Sequence, residues 1–348
     1  MLDREVYQIN NTPDAGKASE MHCWQVPALA VLLVCGSSCS ADAQGFDPRD
    51  PHSPMQLTRT IALPDVKGRI DHMSLDAKRG HLFVAEYGNG SVDEIDLTSG
   101  RIVARIANLR EPQGVMWLPK EQEIAVACGD GSLRFYRGSD HQEVARIDLG
   151  DDADNVRLDP RNGNLVVGYG AGGLAVVDPA AHRIVRELKL GAHPEAFSLV
   201  GSRVFVNVPD AHKIAIADLD EGRVTAKVDT GELAGNYPIV AGLTGRRIAV
   251  AFRSPPTLSV AEAVSGATIF SVRVCGDADD LFFNAGRIVV VCGEGAVELI
   301  DESNMQRNVR VVTRRGARTA FIDPAHNALF VAVPGEADGA SIWQLTFR

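Results

Sequence analysis

The chain has 348 residues, of which 45% are hydrophobic and 23% are charged, so it can bury a large core and is not a disordered chain. Its 33 glycines and its low aromatic content of 6% favour many tight turns over a helical bundle. The formal net charge of -10, without any basic run, makes nucleic acid and anionic membrane surfaces poor partners because both are negatively charged. We expect an all-β protein.

Residues 1–43 differ from the rest and are interpreted as an N-terminal extension plus a signal peptide. The apolar run 26–34 has the length of a signal-peptide core and is too short to span a bilayer. Small residues at Ala41 and Ala43 predict cleavage before Gln44. The mature protein is therefore expected to be periplasmic or extracellular, with no transmembrane anchor after cleavage.

Two alternatives to soluble export stay open. Cys35 and Cys39 follow the apolar run, as lipid attachment would require, although Val34 and Gly36 do not fit the usual motif before a lipidated cysteine. The other alternative is an uncleaved segment that anchors the protein in the membrane.

Three cysteines remain in the mature chain, namely Cys128, Cys275 and Cys292. An odd number without CxxC spacing argues against a disulfide framework and against a zinc site. Ordinary buried thiols are one interpretation. In the other, Cys275 and Cys292, which flank one predicted strand, pair in an oxidising compartment and leave Cys128 free.

Internal repetition is the strongest pattern in the sequence. A short apolar run recurs at steps of 42, 41, 39, 44, 40 and 41 residues, marked by Val84, Val126, Val167, Val206, Val250, Val290 and Val331. Seven copies of one unit therefore occupy residues 56–348, and residues 44–55 are interpreted as a linker.

Each copy predicts four short strands separated by turns. In the first copy the strands cover residues 72–75, 81–86, 92–96 and 102–106, and Gly88-Asn89-Gly90 supplies a hairpin turn. Four strands in about 41 residues, without a long helical pattern, describe one blade of a β-propeller. The sequence thus predicts a seven-bladed β-propeller with four-stranded blades.

The last copy lacks a fourth strand, because the chain stops at Arg348 after the strand 340–347. A spare strand, Gln56 to Ile61, precedes the first copy. We predict that this N-terminal strand pairs with the C-terminal blade, closes the ring and covers two exposed sheet edges.

The repeat also resembles a known family. Val204-Phe205-Val206-Asn207 in a second strand, followed by Ile214-Ala215-Ile216-Ala217-Asp218 in a third, is similar to the YVTN-type repeats of YncE-like exported bacterial proteins. The resemblance covers the whole mature chain and implies a seven-bladed, extracytoplasmic propeller. It implies no residue-level function, because the repeat motif is structural.

The candidate functional surface is the central mouth, where the starts of the first strands converge. The position two residues before the first apolar residue holds, in the seven copies, Asp71, Gln113, Asp154, Glu195, Tyr237, Asp279 and Arg318. The next position adds His72, Asn155, Asp280 and Thr319. The mouth is therefore expected to be polar and rich in carboxylates.

Neighbouring loops add further candidates. His193 and Asn236 precede their first strands, and Arg253, beside Pro255-Pro256, departs most clearly from the repeat. We expect the turns between second and third strands to form a rim, consisting of Glu86, Tyr87, Tyr169, Asn207, Arg253 and Glu294. The Gly-x-Gly pairs in these turns join two strands, so they do not predict a dinucleotide site.

Two functions of different kinds are compatible with this mouth. The first is a monomeric binding or interaction module for a small polar ligand, a glycan or a protein. The alternative is a metal-dependent hydrolase or lyase of the lactonase-like propeller type, although the motifs of those families are missing. Its divalent cation would be held by Asp71, Asp154, Glu195 or Asn155, and His72 or His193 would move a proton. No cofactor is firmly implied, and crowded carboxylates favour either a bound cation or pairing with Arg318.

Overall fold

The computed structural model of the protein describes residues 45–170, 172–242, 245–263, 265–336 and 339–348. The predicted signal peptide, its cleavage site, Cys35 and Cys39 lie outside these residues. Within them, no helix combines the length and the apolar character needed to cross a membrane. The helical elements of this part of the chain are three short 3-10 turns, at Tyr87–Asn89, Pro209–Ala211 and Pro324–His326.

The first four blades follow one another along the chain, each with its first strand innermost. Blade 1 consists of β2 (Met73–Asp76), β3 (His81–Glu86), β4 (Ser91–Asp96) and β5 (Arg101–Ile106). Blade 2 consists of β6 (Pro112–Leu118), β7 (Glu123–Cys128), β8 (Ser132–Arg137) and β9 (Glu143–Asp148). Blade 3 consists of β10 (Ala153–Leu158), β11 (Leu165–Tyr169), β12 (Gly173–Asp178) and β13 (Arg183–Lys189), and blade 4 of β14 (Phe197–Val200), β15 (Arg203–Val208), β16 (Lys213–Asp218) and β17 (Arg223–Asp229).

The last three blades complete the ring. Blade 5 consists of β18 (Ala234–Ala241), β19 (Arg247–Ser254), β20 (Pro256–Glu262) and β21 (Thr268–Arg273). Blade 6 consists of β22 (Ala278–Asn284), β23 (Arg287–Cys292), β24 (Ala296–Asp301) and β25 (Arg307–Val312). Blade 7 consists of β26 (Ala320–Asp323), β27 (Ala328–Glu336), β28 (Gly339–Phe347) and, from the start of the chain, β1 (Met55–Leu63).

The predicted seven-bladed architecture and its closure are confirmed. All seven sheets have four antiparallel strands, and β1 pairs with β28 from Met55, opposite Phe347, to Leu63, opposite Ala340. The hairpin turn predicted in blade 1 is also present, and Gly90 takes the positive φ of 67° that this turn requires.

The hydrophobic core is divided into seven clusters, one between each pair of adjacent blades. Alternate residues of each middle strand face the two neighbouring blades, so these strands are buried on both faces. β1 contributes to two clusters, because Met55 packs with blade 6 residues while Ile61 and Leu63 pack against blade 1. The closing strand therefore joins three blades.

The segment before β1, interpreted from the sequence as a linker, lies against blade 6. Phe46 donates its backbone N–H to the Arg310 carbonyl (2.8 Å) and accepts from the Val312 N–H (2.9 Å), which makes a parallel bridge on the outer edge of β25. Ser53 is buried in the same segment. These contacts cover part of another exposed strand edge.

We predict that Ile61→Ala lowers the free energy of unfolding by about 2–5 kcal/mol, because it empties a buried site on the closing strand. Thr60→Ala is the matched control, since this neighbouring side chain is exposed and its loss should cost less than about 0.5 kcal/mol. Urea unfolding measures both. Equal, small losses in the two variants would contradict the role assigned to β1.

Candidate functional site

A β-bulge at the start of the innermost strands aims two consecutive side chains at the channel. In blade 1 the Asp71 N–H donates to the Ala85 carbonyl (2.7 Å), and the Ala85 N–H donates to the His72 carbonyl (2.9 Å). Asp71 and His72 thus both lie opposite the single residue Ala85. The register of β6, β10, β18 and β22 shifts at the corresponding place. Bulges of this kind redirect side chains beside functional sites.

The mouth is a polar cavity of about 500 Å³ at one end of the channel. Six of the seven predicted ring residues line it: Gln113, Asp154, Glu195, Tyr237, Asp279 and Arg318. The seventh, Asp71, is 1% exposed and lies directly behind Arg69, whose Nη2 is 2.5 Å from Asp71 Oδ2. His193 and Arg253, predicted from the loops, line the same cavity.

One side of the mouth, contributed by blades 2 to 4, is acidic. This acidic sector comprises Glu111, Asp151, Asp152, Asp154 and Glu195. Asp152 accepts a hydrogen bond from Gln113 Nε2 (2.7 Å), and His193 Nε2 is 3.8 Å from Asp152 Oδ2. Among the described residues, no lysine or arginine forms an ion pair with any of these five carboxylates.

The other side, from blades 5 to 1, pairs its acids with arginines. Arg253 and Arg318 both contact Asp277, at 3.1 and 3.2 Å, and both contact Asp279. Arg253 also stacks on Tyr237, with its guanidinium carbon 3.8 Å from the ring centroid. Charge on this side is therefore balanced within the protein, in contrast to the acidic sector.

Burial and mutual repulsion shift the ionisation of the mouth carboxyls. Burial raises the pKa of Asp154 to about 6, and burial together with the Asp154 charge raises the pKa of Glu195 to about 7. One buried oxygen of Asp154, Oδ1, has no hydrogen-bond partner among the described residues. The acidic sector thus contains one buried hydrogen-bond acceptor that is left unsatisfied.

The second predicted ring lies deeper in the channel. Asn155 joins two layers, since it donates to Asp154 (3.1 Å) and accepts from Arg157 Nη2 (3.1 Å). Asp280 accepts from the Ala320 N–H (2.7 Å), and burial raises its pKa to about 8. Burial, reinforced by Arg157 and Arg69, lowers the pKa of His72 to about 3, which keeps this imidazole neutral.

Several predicted residues do not line the mouth. Asn236 is buried and donates to the side chain of Asn207 (3.1 Å) and to the Lys213 carbonyl (3.0 Å). Of the predicted rim, Tyr87 and Arg253 line the cavity, whereas Glu86, Tyr169, Asn207 and Glu294 are not among the residues that do. Glu86 is buried, and Glu294 accepts from the Gly276 N–H (2.6 Å).

The divalent cation considered from the sequence stays a prediction. In the part of the chain that the structure describes, no three His, Cys, Asp or Glu side chains converge on a point where a metal ion could bind. The counter-charges are instead guanidinium groups: Arg69 beside Asp71, and Arg253 and Arg318 beside Asp279.

Sequence reasoning missed five residues that line the mouth: Gly129 and the four charged residues Arg69, Glu111, Asp151 and Asp152. Arg69, Glu111 and Asp152 each stand two residues before a mouth position of the repeat, a phase that sequence reasoning did not follow, and Asp151 precedes Asp152 in the same loop. The signal that could have found one of them is Gly129, because a Cβ there would lie 2.6 Å from Glu111 Oε2. A residue without a side chain at that turn makes room for the Glu111 carboxylate.

A disulfide lies close to the mouth in sequence. Cys275 and Cys292 are bonded, and Cys128 is buried and free, so the structure forms the pairing that the sequence left open. Cys275 stands two residues before Asp277, which both mouth arginines contact. The crosslink therefore holds the strand β23 next to the loop that orients these arginines.

Comparison with solved structures finds the same fold elsewhere. The chain is similar to hydrazine synthase of Kuenenia stuttgartiensis, with a TM-score of 0.68, 14% identity, and coverage of 80% of this chain and 96% of that one. At this identity the similarity establishes the propeller fold alone. No family model and no curated protein matches the chain, so the resemblance to YncE-like repeats stays a prediction.

The raised carboxyl pKa values predict a pH-dependent stability. Asp154 and Glu195 bind protons more tightly in the folded than in the unfolded state, so they destabilise the fold as pH rises through about 6 to 7. The free energy of unfolding of the double variant Asp154→Asn/Glu195→Gln, relative to that of the wild type, should therefore be higher at about pH 8 than at about pH 5. The expected increase is on the order of 2 kcal/mol.

Thermal unfolding at both pH values measures this gain. Asp210→Asn/Glu232→Gln is the control, because it removes the same formal charge from two exposed positions. A difference between double variant and wild type that stays constant with pH would contradict the assignment of crowded, buried carboxyls.

Proposed function

We propose that the protein is a binding module whose mouth holds a small polar ligand carrying at least one amine group. The observation that carries this proposal is the acidic sector: five carboxylates face one cavity without an arginine or lysine partner among the described residues. A ligand ammonium group would supply the missing charge and donate hydrogen bonds to carboxylate oxygens that line the cavity. The propeller fold is compatible with such a module, since propellers host many binding functions.

The size and the chemistry of the cavity favour a small molecule. A volume of about 500 Å³ lies in the range of ordinary small-ligand sites. The arginines opposite are held by Asp277 and Asp279, so they offer hydrogen bonds to a ligand without adding much net positive charge. An amine on one side and hydroxyl or carbonyl groups on the other would match both halves of the mouth.

The metal-dependent hydrolase or lyase is less well supported. Its chemistry needs a metal held by several oxygen or nitrogen ligands and a histidine that moves a proton. The described mouth residues lack a converging set of such ligands, and the pKa of His72 lies far below neutral pH. We therefore propose binding rather than catalysis.

We also propose that binding takes place outside the cytoplasm, as expected from the predicted signal peptide. The Cys275–Cys292 disulfide supports this location, because disulfides persist in oxidising compartments.

Calorimetric titration with glucosamine, glucose and putrescine tests the proposed ligand chemistry. Glucosamine and glucose share a ring and differ by one amine, so glucosamine should bind at least about tenfold more tightly, which corresponds to about 1.4 kcal/mol. Asp154→Asn/Glu195→Gln should weaken the binding of both amines at least about tenfold, because it removes two of the five carboxyl groups that would pair with the ammonium group.

The exposed control Asp210→Asn/Glu232→Gln should bind the amines like the wild type. Equal binding of glucose and glucosamine would favour recognition of hydroxyl groups, as in a glycan site, and would overturn the amine assignment. A wild type that binds none of the three probes would overturn the proposal as a whole.

A further inference from the structure

The inner strands carry a second ring of side chains at the far end of the channel. Three residues after each mouth position stand Ser74, Met116, Arg157, Ser198, Val240, Phe282 and Phe321, which we call the lower ring. All seven line one of two further cavities. A strand rises about 3.3 Å per residue, so this ring lies about 10 Å along the channel from the mouth.

The two cavities adjoin one another around Arg157. Their volumes are about 600 Å³ and about 410 Å³, and both are lined by Met116, Arg157, Leu158, Asp280 and Phe282. Thioether, leucyl and phenyl groups thus surround one guanidinium. This composition contrasts with the mouth, where nearly every lining side chain is charged or polar.

Arg157 has spare hydrogen-bond donors and no ion pair. It donates to its neighbour's carbonyl at Val156 (2.9 Å) and to Asn155 Oδ1 (3.1 Å), which uses two of its five N–H groups. No carboxylate of the described residues lies within ion-pair distance of it. Its guanidinium lies over the Phe197 ring, with 5.8 Å from the guanidinium carbon to the ring centroid.

The two carboxyls that act on the Arg157 charge, Asp280 and Asp154, lie outside ion-pair distance of it. Asp280 is the carboxyl that lines the same cavities, and its raised pKa of about 8 keeps most of it protonated. Asp76, at the edge, is already paired with Arg79 (2.5 Å), while Lys78 lines the same cavity. The lining of the two cavities thus lacks the excess of carboxylates that marks the acidic sector.

We propose that the lower ring is a second binding site, for a monocarboxylate with an apolar body, whose carboxylate is held by Arg157. A guanidinium with free N–H groups matches the two oxygens of a carboxylate, and the low polarity of the surroundings strengthens that pair. Met116, Phe282 and Phe321 would cover the apolar body. The site is separate from the mouth and selects ligands of the opposite charge.

The probe for this site is 3-phenylpropionate, measured by calorimetric titration of the full chain. Its uncharged amide and acetate are the comparison compounds, because one lacks the charge and the other lacks the apolar body. We expect 3-phenylpropionate to bind the wild type at least tenfold more tightly than either. Arg157→Gln should lower its affinity at least tenfold, and Phe282→Ala should weaken it while leaving acetate unchanged.

Two variants keep the result interpretable. Arg101→Gln, at an exposed position, removes the same charge elsewhere, and Glu195→Gln alters the mouth alone; neither should change the binding of 3-phenylpropionate. If Arg157→Gln fails to fold, Arg157→Lys should bind the probe more weakly than wild type but still prefer it to the amide. Equal binding to wild type and Arg157→Gln, or no binding to the wild type, would overturn the proposal, and neither result bears on amine binding at the mouth.

Discussion

The antiparallel pairing of β1 with β28 joins the two ends of the described chain and holds seven blades in a closed ring. Each blade buries its faces only against its neighbours, so an open array would leave two apolar faces and two strand edges in water. Closure also fixes a common axis. Because every inner strand starts at that axis, a single position of the repeat becomes a ring of seven side chains.

A bulge at that position doubles the number of side chains that each inner strand sends into the channel. It turns two consecutive side chains inward, so the channel carries a mouth ring and a deeper ring directly below it, exemplified by Asp71 and His72. Crowding carboxyls there costs stability, as the raised pKa values of Asp154 and Glu195 indicate. Arginines offset that cost only on the side of the mouth that blades 5 to 1 contribute. In the acidic sector the negative charge is not balanced, and a positively charged ligand would balance it.

The sequence was sufficient for features that repeat and insufficient for those that do not. Blade number and closure follow from a period of about 41 residues and a spare strand, and the phase of that period located six mouth residues. Arg69 and Asp152 escaped because they stand two residues before the mouth position, a second phase of the same repeat that was not followed. Asn236 was placed at the mouth by proximity in sequence, but Gly235, with φ of 69°, turns the chain there, and the Asn236 side chain bonds to Asn207 instead. Arg157 stands three residues after the mouth position Asp154, so the same repeat alignment, extended along the strand, would have identified it.

We propose above that a ligand amine pairs with the carboxylates of the acidic sector. A crystal structure of the protein soaked with putrescine at neutral pH tests it most directly. We expect a putrescine nitrogen within about 3.2 Å of a carboxylate oxygen of Asp154 or Glu195. Putrescine bound elsewhere on the surface, with only water in the mouth, would contradict it.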